Sequence, residues 1–237
     1  MSIALLSAAR QIASAKDAQL TALLLSTDHL DQVAGLDDAD DVVVANAPWL
    51  HSAGADMVVA ALVETCASLK PSAVLFTHDS MSGEVAPRLA ARLEAGLMTE
   101  CGAAWVEAST GALVGERACF SGKATGTWAI PAAQVAVLTL RRQPPRDDLG
   151  GATAPAQTSS LRLVNQPEPR AKLLGQVFPP AGEIKLEEAE IVVGVGRGIA
   201  SPEAFNEHFV NGLAPAINAI CGGSRGAVDM GIIPPNL

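Results

Sequence analysis

Two short glycine-rich strings near the C-terminal end hold the residues whose types and spacing could do chemistry, "GVGRGI" at 194–199 and "GGSRG" at 222–226. Each follows an apolar run, and each sets an arginine, Arg197 or Arg225, among glycines. Glycines after a strand let backbone amides approach an anion such as a pyrophosphate. The first string departs from the GxGxxG of dinucleotide sites, because Ile199 holds the third glycine position and no acidic residue is well placed about 20 residues on. A glycine-lined loop for another cofactor and a plain strand-to-helix turn both stay open. The second string matches GxSxG, which would make Ser224 a hydrolase nucleophile. That arrangement needs an acid and then a histidine downstream. Asp229 offers the acid, but His29, His51, His78 and His208 all precede it.

Other strings carry less. "FSGKATG" has Gly122-Lys123, but Arg117 stands where a phosphate loop needs its first glycine and Ala124 where it needs a hydroxyl. "FTHDSMSG" gathers His78, Asp79, Ser80 and Ser82 at the end of an apolar run, where ligand sites of α/β sheets collect. The helix that follows also needs a cap, and Ser80 or Ser82 in that role is the simpler reading. His208 reads as a surface residue of a helix. Cys66, Cys101, Cys119 and Cys221 form no CxxC pair and stand in apolar neighbourhoods, which suits buried free thiols over disulfides or a metal site.

These strings need a scaffold, and 237 residues at 49 % hydrophobic content can bury one. The net charge of -9 argues against nucleic-acid or anionic-membrane surfaces, which repel an acidic chain. Arg141, Arg142 and Arg146 form the one dense basic run, set among prolines like a solvated linker. Apolar runs such as "IALLSAA" fall short of the roughly 20 residues that span a bilayer, so the reading is a cytoplasmic, globular chain without membrane insertion.

The chain alternates short apolar runs with helical periodicity over residues 1–140, which predicts a parallel or mixed sheet with helices on both faces. "TALLLS" (21–26), "DVVVAN" (41–46) and "AVLFTH" (73–78) read as buried strands. "GADMVVAALVETCASL" and "SGEVAPRLAARLEAG" read as helices, the latter starting just before Pro87 and ending near Gly96. After about residue 100 the period becomes two, in "CGAAWVEA", "ALVGERACF" and "QVAVLTLR", which predicts an antiparallel or mixed extension of the same sheet. Residues 141–189 read as an extended connection, because seven of the fifteen prolines fall between Arg141 and Glu190. Residues 190–237 then read as the opening of a second α/β domain. It comprises the strand "AEIVVGVGR", a helix started by Ser201-Pro202-Glu203 and running to about Ala219 with Pro215 a kink or stop, and a second glycine-rich strand.

Taken together, "SGEVAPRLAARLEAGLMTE", "GVGRGI" and "GGSRGAVDMGIIPPNL" resemble the α subunit of the electron transfer flavoproteins, including the FixB-like branch. The most specific element is S-R-x-A-V-D-x-G, here Ser224, Arg225, Ala227, Val228, Asp229 and Gly231. The resemblance implies that Arg197, Ser224 and Arg225 contact FAD, with Arg225 tuning the flavin rather than transforming a substrate. A guanidinium at contact distance stabilises a reduced, negatively charged flavin ring by on the order of 4 kcal/mol at an effective dielectric near 20.

In the family, "PNL" leads into Q-V-G-Q-T-G and S-G-A-x-Q-H segments that supply most remaining FAD contacts, and a strand precedes the helix that "IALLSAARQIASA" resembles. Neither is found in these residues, so the expectation is an α subunit trimmed at both ends, with an incomplete FAD-binding domain. The implied function is electron transfer and not an enzyme's turnover. Electrons would come from flavoprotein dehydrogenases such as acyl-CoA dehydrogenases, and a β subunit would complete the heterodimer. The alternative is a nucleotide-binding or partner-docking scaffold that does not hold FAD.

Overall fold

Leu23-Leu24-Leu25 and Val42-Val43-Val44 are uninterrupted apolar runs, and a strand of that kind needs cover on both faces. In the computed structural model they are the centres of β1 (Thr21–Ser26) and β2 (Asp41–Asn46), which pair in parallel from Thr21↔Asp41 to Ser26↔Asn46. The structure describes residues 3–26, 36, 38–52, 54–141, 156–169, 171, 174–175, 186 and 189–234. Arg142, Arg146 and His29 lie outside those residues. The chain divides into two units, Met1–Leu174 and Gly175–Leu237.

In the first unit, helix α1 (Ile3–Ala15) precedes β1. A short 3-10 turn (Pro48–Ser52) and α2 (Ala55–Leu69) carry the chain from β2 to β3 (Ala73–Thr77), and α3 (Ser80–Leu93) leads to β4 (Gly96–Cys101). The alternation of side chains along each strand divides the core between two faces. Leu23 and Leu25 of β1 and Val74 and Phe76 of β3 pack under α2 and α3. Ala22 and Leu24 face Leu6 of α1, and Ala73 and Leu75 belong with Ile12 of the same helix. Helices therefore cover both faces, as the alternating pattern predicts.

Helix α3 begins differently from the sequence reading. Asp79 is the N-cap, and Ser82 closes the reciprocal half: Ser82 N–H donates to Asp79 Oδ1 at 2.7 Å, and Asp79 N–H donates to Ser82 Oγ at 2.8 Å. Pro87 consequently lies inside the helix, not at its start. It forfeits one backbone bond, but Val85, Ala86, Leu89 and Ala90 are buried against the sheet and hold the helix through the proline. The helix is stopped by Glu94 in the left-handed region, φ 52°, and Gly96 opens β4.

The period-two segments part company. β5 (Ala103–Val106), β6 (Leu113–Cys119) and β7 (Ala124–Ile130) form a separate antiparallel sheet, and do not extend the parallel one. It lies close over β4 because Gly115 has no side chain: a β-carbon there would stand 2.8 Å from Met98 Sδ. "QVAVLTLR" instead supplies β8 (Ala136–Leu140), parallel between β3 and β4. Its run Ala136-Val137-Leu138 is apolar on both faces and buried throughout, which is the signature of an interior parallel strand. β9 (Gln157–Arg162) falls within the proline-rich segment and pairs in parallel with β2.

The second unit sets β10 (Val192–Val195) parallel to β11 (Ile220–Gly223). Between them α4 (Pro202–Phe205) is capped by the Ser201 hydroxyl, which accepts from Ala204 N–H at 3.3 Å. The helix widens into π turns over Asn206–Leu213 and ends with α5 (Ala214–Ala216), one residue past Pro215 and short of Ala219. Val195, Phe205, Ala214, Cys221, Ala227, Ile232 and Ile233 form this unit's core.

Candidate functional site

Parallel pairing of β10 with β11 puts the ends of both strands, and hence both glycine-rich strings, side by side. The register runs Val192↔Ile220, Val193↔Cys221, Gly194↔Gly222 and Val195↔Gly223, and Ser224 N–H then donates to Val195 O at 2.9 Å. The turn carrying Arg197 and the turn carrying Ser224 and Arg225 thus leave the carboxyl ends of adjacent strands, the position where ligands of open parallel sheets bind.

The two turns touch through Arg197 and Gly226. A β-carbon on Gly226 would stand 2.9 Å from Arg197 Cδ and 3.2 Å from its Cγ, so the arginine stem lies directly on the glycine. Ser224 is the N-cap of α6 (Arg225–Asp229), its Oγ accepting from Ala227 N–H at 3.4 Å. Arg225 Nε is 3.6 Å from Asp229 Oδ2, and 92 % of the arginine side chain is exposed. The hydroxyl is occupied as a cap and the carboxylate as an ion-pair partner, which is the architecture of a helix start and gives no support to a hydrolase triad.

The glycines of this corner divide into two kinds. Gly222 meets Leu186, Gly223 meets the Ile233 side chain and Gly226 meets Arg197, so the packing of the chain itself accounts for them. Nothing lies within 4 Å of a β-carbon built on Gly194, Gly196 or Gly198, and none of the three has the left-handed φ that would demand glycine. Gly196 and Gly198 flank Arg197 and leave open a backbone cradle that side chains would fill. An anionic cofactor could be held by exposed backbone at two strand ends, with Arg197 between the two open glycines and Arg225 in the first turn of α6. Ile199, the residue that breaks the dinucleotide pattern, packs against the core of the unit.

The remaining sequence candidates belong to the other unit or to packing. His78 Nδ1 lies 2.9 Å from the hydroxyl of buried Thr139, which also accepts from Glu100 N–H at 2.7 Å, so His78 and Asp79 serve strand and helix ends. Lys123 sits at the β6–β7 hairpin, where Phe120, Ser121 and Gly122 have positive φ and Gly122 N–H donates to Cys119 O at 3.1 Å. His208 is exposed on the π turns. All four cysteines are free; burial pushes the Cys66, Cys101 and Cys221 thiols up, leaving them protonated, and Cys119 is half-buried. Among the described residues no cluster could hold a metal ion, and no helix is long and apolar enough to cross a membrane.

Sequence reasoning did not separate Gly196 and Gly198, which face open space, from Gly226, which meets Arg197. Their spacing around the arginines was visible, but which glycine faces a neighbour and which faces open space depends on strand pairing. It also missed an open depression of about 480 Å³ at the ends of β2 and β9, lined by Asn46, Trp49, Arg162 and Gln166 among others. Arg162 stood in a segment that reads as connection.

Known proteins resemble the chain along the same divisions. Residues 1–163 match the family described as Electron transfer flavoprotein domain, and residues 185–237 match the Electron transfer flavoprotein FAD-binding domain. Protein FixB of Clostridium saccharobutylicum is 30 % identical over 240 residues, covering 98 % of this chain and 70 % of that protein. Electron transfer flavoprotein subunit alpha of Thermoanaerobacterium thermosaccharolyticum is 28 % identical over 236 residues, covering 98 % and 71 % respectively. Acryloyl-CoA reductase electron transfer subunit beta of Anaerotignum propionicum is 25 % identical over 258 residues, covering 97 % and 70 %. The chain belongs to the electron transfer flavoprotein family, beside its alpha subunits and FixB proteins, a family of electron-transfer subunits with FAD as cofactor rather than enzymes acting on substrates of their own.

Proposed function

We propose that this chain works as the α subunit of a cytoplasmic electron carrier, receiving electrons from flavoprotein dehydrogenases such as acyl-CoA dehydrogenases and assembling with a β subunit. FAD, when bound, supplies reversible electron uptake. The chain's own residues bind and orient it: Gly196 and Gly198 leave backbone accessible, Arg197 and Arg225 offer positive charge, and Ser224 holds the start of α6 so that Arg225 projects from its first turn. Arg197 in turn is steadied by its contact with Gly226.

The observation that carries this reading is the open space over Gly196 and Gly198 beside an arginine seated on Gly226. Packing leaves those positions free, and a ligand approaching the backbone explains the glycines. The test is the visible spectrum of the chain after incubation with FAD and gel filtration, alone and with a candidate β subunit. A retained flavin band that Arg197→Ala diminishes supports the reading. A colourless protein in both preparations rejects it and favours the docking-module alternative.

A further inference from the structure

β2 and β9 end together. They pair in parallel through Asn46↔Arg162, so their carboxyl ends lie on one side of the sheet, the side on which parallel sheets bind ligands. Side chains alternate along a strand, and the register Val44↔Ser160 and Asn46↔Arg162 puts Asn46, Ser160 and Arg162 on one face at that end. Helix α1 covers the same face farther in, where Leu6 clusters with Ala22 and Val42, whereas Ser160 and Arg162 are exposed. The open depression of about 480 Å³ at this corner is within the size range of small-molecule sites. Trp49 and Val164 give it apolar surface, and Asn46, Ser160, Arg162 and Gln166 give it polar groups.

The lining is held from behind. Trp49 stands in the 3-10 turn after β2 and packs on the cluster of Ala45, Ala47, Ala61 and Leu163. Beyond β9, Leu163 N–H donates to Asn46 O at 3.1 Å, and Glu64 of α2 accepts Val164 N–H at 2.8 Å and Asn165 N–H at 3.2 Å. A segment that reads as connection is thus fixed to a helix 100 residues away in sequence. Its polar side chains are left over by that arrangement. Among the described residues Asn46, Ser160, Arg162 and Gln166 make no side-chain hydrogen bond or ion pair. A guanidinium without a carboxylate beside it, in a chain of net charge -9, suits an anion from outside. The half-buried Trp49 ring offers aromatic surface in the same depression, and two side-chain amides offer both donors and acceptors. Val164 is 76 % exposed although it is apolar, and an occupant of the depression would cover it.

We propose that this depression binds a small planar anion, an aromatic or heteroaromatic ring that carries a phosphate or carboxylate group. Arg162 pairs with the anionic group, Trp49 meets the ring, and Asn46 and Gln166 bond to its polar edge. The site needs both parts of the ligand: a bare anion leaves Trp49 uncovered, and an uncharged ring leaves Arg162 unpaired. All of these residues belong to the first unit, and the site shares none with the glycine cradle around Arg197.

The test uses the full, isotope-labelled chain and follows the indole N–H signals of Trp49, Trp105 and Trp128, with Trp49→Phe to assign the first. The probes are guanosine monophosphate and benzoate, with guanosine and ribose phosphate as the two halves of the former. The expected result is a saturable shift of the Trp49 signal by a whole probe, at lower concentration than with either half, while Trp105 and Trp128 stay in place. Guanosine monophosphate ahead of benzoate assigns a phosphate ligand, and the reverse order a carboxylate. Arg162→Gln should weaken binding roughly tenfold, the loss of one charge-assisted hydrogen bond, at an unchanged melting temperature. Arg162→Lys, which keeps the charge, should recover part of the affinity. A Trp49 signal unmoved by either probe at about 10 mM overturns the site. So does ribose phosphate as effective as the whole nucleotide, or a shift indifferent to Arg162→Gln.

Discussion

Arg197 lies across Gly226, with its Cδ 2.9 Å from where a β-carbon of residue 226 would be. Two strings that stand about 30 residues apart in sequence are thereby in contact, and the contact is steric. Gly226→Ala should displace the arginine, whose stem is flexible, and leave the backbone alone. The expected outcome is a melting temperature within a few degrees of the parent and a several-fold loss of flavin affinity, checked by thermal unfolding and FAD titration.

Glycines with and without neighbours should respond in opposite ways. Gly198→Val adds a side chain into open space at a permitted φ, so stability should hold while FAD binding falls. Gly223→Val drives a side chain into Ile233 of the core, so stability should fall by about 1–3 kcal/mol, the ordinary cost of overpacking. Urea unfolding of both variants separates the two classes.

Arg225 makes a different contribution. Its side chain is 92 % exposed and its ion pair with Asp229 spans 3.6 Å, a surface interaction that adds little to stability. Arg225→Ala should therefore unfold like the parent but lower the reduction potential of bound flavin, because a positive charge favours the reduced ring. Spectroelectrochemical titration reads the potential, and an unchanged value would count against the assigned role.

A pH effect is expected at the start of β2. Arg10 Nη1 and Nη2 donate to the two Asp40 carboxylate oxygens at 3.0 Å each, and Leu20 N–H donates to Oδ2 at 2.7 Å. The Arg10 bonds, with the Leu20 amide next, hold Asp40 below its ordinary value of 3.8. A lowered carboxylate pKa stabilises fully above the ordinary value and loses that stabilisation as pH falls through the lowered one. Asp40→Asn should cost about 1 kcal/mol at pH 7, reduced by the partial exposure of the pair, and the difference should close at strongly acidic pH. Unfolding curves of parent and variant across that range test it.

Thr139 is fully buried in β8, and its hydroxyl serves both Glu100 N–H and His78. Thr139→Val keeps the shape and strands the Glu100 amide, so a loss of about 1–3 kcal/mol is expected in chemical denaturation.

How far the sequence could be read follows from the range of the forces involved. β1 at 21–26 and β2 at 41–46 were legible to the residue, because an apolar run is a local record of which faces are buried, whereas helix α1 was legible through the family resemblance of "IALLSAARQIASA". The S-R-x-A-V-D-x-G string and Arg197 were legible as types at a spacing, and with them the family. Pairing was not. The same apolar run in "QVAVLTLR" suits several places in a sheet, and only the competition among all strands set β8 between β3 and β4. Gly115 looks like any strand glycine until Met98 comes to rest against it, and Gly226 looks like part of a loop until Arg197 lies on it. Residue chemistry and local periodicity were determined by the sequence itself. Which glycines pack, which stay open and which strand edges meet are many-body outcomes of burial, and those the tertiary structure decided.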